Sequence, residues 1–195
     1  MPSLSDDALA QLFVKARTPK IWNDQPVAPS VLEQLYDLVK LCPTSANCQP
    51  ARFVFIQQVA SKEKLRPALS AGNVACMMAA PVVVIVAHDP LFYEQMPRLY
   101  PEQELRSWFI EDIPFAEETA FRNSTLEGGY LILAARALGL DVAPISGFDN
   151  NMVDELFLEK QGWRSNFLVG LGYANCENLP PRALRLDFDE ACLIL

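Results

Sequence analysis

An α/β or α+β sandwich is the fold class predicted for this 195-residue chain, and two observations carry it. Buried-strand patterns alternate with helical ones along its length. No G-x-G-x-x-G or G-x-x-x-x-G-K follows any of those strands, which argues against a Rossmann or P-loop phosphate site. Apolar residues make up 51% and charged residues 21%, enough for one core, so residues 1–195 read as a single domain.

The elements follow in order. "SDDALAQLFVKA" is helical, with Ser5 as N-cap and acids in the first turn. "SVLEQLYDLVKLC" places Ser30 and Glu33 in capping-box spacing, with Leu32, Leu35 and Val39 on one face and Pro43 as the stop. "RFVFIQQV" is a strand apolar on both faces and therefore buried. A short helix, "SKEKLRPALS", leads to the β-branched strand "APVVVIVAHD". Residues 90–114, rich in Pro, Glu, Arg and aromatics, form a looser excursion.

The longest helical pattern runs from Pro114 to Leu138 and ends at Gly139 as a C-cap. Ala116, Ala120, Ser124 and Gly128 recur along it every fourth residue, a ridge suited to the close approach of a second helix. "LDVAPISGF" is a strand ending in a turn at Gly147, "NNMVDELF" a short helix, and "SNFLVGLGYA" a strand whose Gly170 and Gly172 permit close backbone approach. The tail closes on "ACLIL", apolar where a solvated end would be polar.

The net charge of −8 argues against a nucleic-acid surface. No stretch is apolar for the length of a membrane span, and the opening "MPSLSDDALA" is acidic where a signal peptide is basic. Cys42, Cys48, Cys76, Cys176 and Cys192 form an odd set without C-x-x-C, read as free and mostly buried thiols of a cytoplasmic protein. A single histidine, His88, leaves no metal-ligand pattern and reads as a satisfied structural residue. Cys48 has no histidine near it in sequence and reads as a small buried hydrophobe, not a nucleophile.

Polar residues gather in a few places: Arg17, Thr18 and Lys20 after the first helix, Thr44 to Asn47 between two prolines, and Arg182 and Arg185 in the tail. Guanidinium forks and hydroxyls that converge can hold a phosphate without a glycine loop, although solvated surface is the ordinary fate of such residues.

"ARTPKIW", "PTSANCQPARF", "SAGN", "APISGFD" and "LVGLGY" followed by "PPRALRLDFDEA" stand in the order seen in the nitroreductase-like FMN oxidoreductase family, and the chain resembles that family over nearly its whole length. "EETAFRNS", "RALGLD" and Ala51-Arg52 in place of the family's usual Trp resemble its malonic semialdehyde reductase group. The resemblance implies an α+β fold with a central mixed β-sheet flanked by helices. It also implies an intertwined homodimer that exchanges its C-terminal segment and binds two FMN molecules at its interface.

By position, the resemblance assigns Arg17, Thr18 and Lys20 to the FMN phosphate and ring edge, and Arg182 or Arg185 to the phosphate. Pro43, Thr44, Ser45 and Asn47 fall to the ribityl chain and ring edge, of either the same or the partner's flavin. Asn73 touches the flavin, and Ile145, Ser146 and Gly147 lie beneath its central ring with a backbone N–H directed at N5. Cys76 stands where some relatives have a lysine. Arg52, with Arg106 and Arg122 as weaker alternatives, is the candidate cation for a substrate carboxylate. Trp108 and Phe109 lie in the lid segment, 90–114. The activity implied is ping-pong hydride transfer from NADH or NADPH to a small-molecule acceptor. Malonic semialdehyde, reduced to 3-hydroxypropionate in pyrimidine degradation, is the first candidate. A broad nitro- or quinone reductase, a flavin-binding protein without turnover and a cofactor-free dimeric scaffold remain alternatives.

Overall fold

The computed structural model describes residues 2–175, 179 and 181–195. The N-terminal helix α1 (Asp6–Leu9) is capped by Ser5, whose hydroxyl accepts the Ala8 amide, and runs on as a π turn through Ala10–Val14. Helix α2 (Pro29–Val39) starts one residue before the expected cap. Ala28 is its N-cap and Pro29 its first residue, a position where a missing N–H costs nothing, so Ser30 and Glu33 form no capping box.

Strand β1 (Ala51–Ile56), α3 (Val59–Leu65), α4 (Ala71–Ala79) and β2 (Val82–His88) follow. The 90–114 excursion carries two short helices, α5 (Met96–Leu99) and α6 (Arg106–Glu111). The central helix α7 (Ile113–Ala137) is capped by Asp112 and closed by Gly139 at φ +79. Strand β3 (Asp141–Ile145), α8 (Asn150–Val153), β4 (Arg164–Gly172) and α9 (Phe188–Ala191) complete the order.

The sheet order is β1-β2-β4-β3, and every pairing is antiparallel. The mixed sheet implied by the resemblance is therefore corrected: no parallel pair occurs among the described residues of one chain. β1 is an open edge, and its interior residues are only half-buried, not covered on both faces. Alternation along β2 sends Val83, Ile85 and Ala87 to a core shared with Trp22, Leu65 and Met77. Val82, Val84 and Val86 go to a second core with Leu35, Val39 and Leu131 of α2 and α7.

The small-residue ridge on α7 meets its own chain, the sheet at one end and the short helices of the excursion at the other. A Cβ on Gly128 would lie 2.4 Å from Phe167 Cζ and 3.2 Å from Val86 Cγ1, so the sheet occupies that space. Ala116 and Ala120 pack under Phe92, Met96 and Phe109 of the excursion. The outer face of α7 exposes Ile113, Phe115, Phe121, Leu126 and Tyr130. Gly170 and Gly172 match the expectation of close approach: added Cβ atoms would meet Met77 Cε at 2.9 Å and Pro81 Cδ at 2.5 Å.

Candidate functional site

The sequence places Arg17 and the tail arginines more than 160 residues apart, and the fold joins them. Arg17, Thr18, Arg136, Arg182 and Arg185 line one cavity of about 380 Å³. Backbone carbonyls hold the guanidinium groups. Arg17 donates to Val14 O and Ala16 O at 2.9 Å, and Arg182 donates to Phe13 O, Val14 O and Ala16 O at 2.7 to 3.1 Å. Arg136 donates to Leu12 O, while Gln11 Nε2 reaches the Arg136 carbonyl at 2.7 Å.

None of these arginines forms an ion pair among the described residues. Burial, and then the nearby Arg182 charge, push the Arg136 guanidinium below its ordinary pKa, with Asp141 acting the other way. A chain of net charge −8 thus gathers cations that form no ion pair with a carboxylate among the described residues, an arrangement that an anion completes. Sequence reasoning missed Arg136. Its signal was a cation in the last turn of a long helix, which also reads as simple dipole compensation.

The 17–22 segment carries this cradle toward a second group. The Cys76 thiol donates to Pro19 O at 3.4 Å, and the Trp22 indole donates to Cys76 O at 3.0 Å. Lys20 acts electrostatically on Cys76, whose thiol is nevertheless pushed up because burial outweighs that charge. On the same helix, Asn73 Nδ2 donates to the Gly147 carbonyl at 3.0 Å, and the Ser70 amide donates to it at 3.1 Å. Asn73 therefore holds the turn. An added Cβ on Gly147 would lie 2.7 Å from Asn73 Nδ2. The amides of Ser146 and Gly147 have no acceptor among the described residues, and Ile145 next to them is half-buried against the core.

The Pro43–Asn47 stretch lies elsewhere. Its Ser45 amide bonds Asn123 Oδ1 at 2.9 Å, thirteen residues along α7 from Arg136, or about 20 Å at helical rise. One chain does not bring Thr44, Ser45 and Asn47 to its own arginine cradle. Thr44 Oγ1 accepts the Gln49 amide, and Asn47 Nδ2 donates to Leu99 O. Ala46, Asn47 and Gln49 all adopt left-handed backbone at φ 46, 52 and 41. Each costs on the order of 1 to 3 kcal/mol and persists only where surrounding bonds over-determine it.

Several candidates change role. Arg52 is not a free cation. It pairs with Asp89 Oδ2 at 2.8 Å, donates to Gln49 O and Ala51 O, and lies over Trp163. Arg106 is paired with Glu94, and Arg122 with Glu118. Phe109 is interior, stacked on Phe115 at 5.4 Å, whereas Trp108 is exposed. His88 is not satisfied: its buried Nδ1 has no partner among the described residues. Cys42 and Cys48 are buried, and burial pushes the Cys48 thiol up to about 12, so it is no nucleophile. Cys192 is exposed, and Cys176 lies outside the described residues. No cluster of metal-ligating residues occurs among the described residues, and no helix among them is long and apolar enough to cross a membrane.

The nitroreductase family description matches residues 14–173, which take in the cradle's Arg17, the Gly147 turn and the Thr44 stretch. The chain belongs to the nitroreductase family. A Burkholderia lata protein named NADH dehydrogenase/NAD(P)H nitroreductase is 55% identical over 194 residues, with all of both chains covered. Among solved structures, the Bacillus subtilis nitroreductase ydfN superposes with a TM-score of 0.85 at 21% identity, covering 98% of this chain and all of that one. A Staphylococcus epidermidis NAD(P)H:FMN oxidoreductase gives 0.84 at 18%, with both chains covered completely. An Exiguobacterium sibiricum nitroreductase in complex with FMN gives 0.82 at 20%, covering 100% of this chain and 99% of that one. At these identities the nitroreductase structures establish the shared fold.

Proposed function

We propose that this nitroreductase-family chain is an FMN-dependent NAD(P)H oxidoreductase. The convergence of Arg17, Arg136, Arg182 and Arg185, with no ion-paired carboxylate among the described residues, carries the reading. The residues fit the cofactor. Arginine forks and the Thr18 hydroxyl would hold the phosphate dianion. Lys20 would supply positive charge at the ring edge, and the Ser146 and Gly147 amides would donate to the ring. Asn73 keeps the Gly147 turn in place for that contact. FMN, when bound, supplies a ring that accepts hydride from a nicotinamide and returns it to an acceptor. The protein's own share is to bind, orient and stabilise negative charge.

A homodimer is part of the same proposal. The exposed apolar face of α7 and the exposed Leu193, Ile194 and Leu195 both call for cover. Pairing would bring the Thr44–Asn47 stretch of one copy to the cradle of the other. The S. epidermidis and E. sibiricum names, and the B. lata name, support FMN and NAD(P)H as partners of this chain.

Within this class, a broad nitro- or quinone-reducing activity is favoured by the pairing of Arg52 with Asp89, which neutralises the cation first assigned to a substrate carboxylate. Reduction of malonic semialdehyde to 3-hydroxypropionate, in pyrimidine degradation, is the narrower proposal. It would draw on Arg98, which lines a cavity of about 510 Å³ beside Arg52 and forms no ion pair among the described residues. The visible spectrum of the purified protein decides the main reading: a flavin band that NADH or NADPH bleaches anaerobically supports it. A protein that stays colourless with added FMN overturns it, and a band that no nicotinamide bleaches leaves flavin binding without turnover. Reoxidation by a quinone but never by malonic semialdehyde removes the narrower proposal.

A further inference from the structure

The 43–51 stretch carries left-handed backbone at Ala46, Asn47 and Gln49, none of them glycine. Something outside the stretch must hold it. Two buried polar side chains stand one turn apart on α7 and grip it by its backbone at both ends. Asn123 Oδ1 accepts the Ser45 amide at 2.9 Å, and Glu127 Oε2 accepts the Ala51 amide at 3.0 Å. Asn123 is itself aimed by its Nδ2, which donates to Thr119 O at 2.8 Å. Both residues are at most 6% exposed, in a helix face otherwise made of Ala, Thr, Ser, Gly and Leu.

A buried carboxylate is expensive for a helix that could have used an apolar residue. Glu127 faces Cys42 and Cys48, whose thiols it holds up further, and Arg52 on β1 opposes it. Tyr36, Lys40 and Arg98 share the cavity it borders. No described neighbour forms an ion pair with it, so its one described bond, to the Ala51 amide, is what it does.

We infer that Asn123 and Glu127 are positioning residues, a two-point clamp that presents Thr44, Ser45 and Asn47 to the cofactor bound by a second copy. The clamp acts through the backbone, which leaves the Ser45 side chain to make contacts, while Thr44 Oγ1 already accepts the Gln49 amide and keeps its O–H to donate. It explains why the strained conformation survives without glycine. The inference rests on the FMN reading and on pairing of two copies.

The test is FMN affinity in Asn123→Ala and Glu127→Ala, with Leu131→Ala as a control from the core on the same helix. Unmutated protein is titrated first; failure to bind FMN there overturns the function reading and this inference with it. Given binding, each clamp variant should weaken FMN affinity about 10- to 100-fold, the cost of leaving one amide unpaired, buried at Ala51 and part-buried at Ser45. Leu131→Ala should lose stability and keep its affinity. Glu127→Gln, which preserves the acceptor, should restore wild-type affinity. Unchanged affinity in both clamp variants, or equal loss in Leu131→Ala, overturns the clamp. Should an alanine variant not fold, amide exchange in the unmutated protein decides: Ser45 and Ala51 should exchange as slowly as the α7 interior, and fast exchange at both refutes the inference.

Discussion

Replacing Glu127 by glutamine removes a charge that the fold makes costly, and the structure sizes the effect. Burial raises this carboxyl from an ordinary 4.5 to about 7, while the Ala51 hydrogen bond and Arg52 pull the other way. Between these values the folded chain keeps a proton that the unfolded chain has released. Wild-type stability therefore falls as pH rises from about 4.5 to about 7, and is level in this respect above it. The gap corresponds to about 3 kcal/mol. Glutamine has the shape of the protonated acid, and its carbonyl still accepts from Ala51. The variant should lie within about 1 kcal/mol of wild type at pH 5 and exceed it by up to ~3 kcal/mol at pH 8. Urea denaturation of both proteins at equal concentration, from pH 5 to 8.5, measures the difference while other titrating groups cancel. A difference that does not change with pH would refute the burial argument.

Arg182→Ala should weaken FMN binding at least about 10-fold and flatten its salt dependence, because one charge-assisted donor leaves the cradle; titration at two ionic strengths reads both. Gly147→Ala puts a Cβ 2.7 Å from Asn73 Nδ2 and 3.2 Å from Ser70 Oγ, so the turn must move. Its bound flavin spectrum should shift and kcat should fall, with the melting temperature little changed. Gly128→Ala drives a methyl group into Phe167 and should cost about 1 to 3 kcal/mol in urea denaturation.

Much of the molecule could be read from local pattern. The β-branched run at Val82–His88, the long helix closed by Gly139 and the cap at Ser5 follow from periodicity and capping, which depend on neighbours a few residues away. Motif order also named Arg17, Thr18, Arg182 and Arg185, and the fold lines one cavity with all four. It could not name Arg136 or the Asn123–Glu127 pair, because an arginine in a last turn and polar residues in a helix each have a commonplace local meaning.

Charge pairing was equally invisible. Arg52 looked free until β1 and β2 aligned Ala51 with His88 and set Asp89 beside the guanidinium. The ridge of Ala116, Ala120, Ser124 and Gly128 announced close approach, but only the packed sheet and the 90–114 excursion showed what approaches. The sequence by itself determined the four strands and the longest helices, though not α4, α5, α6 or α9, and which residue types could meet an anion. Tertiary structure alone decided which of them meet: Arg182 lies 166 to 169 residues from the carbonyls that aim it, and no local pattern encodes a contact closed over that separation.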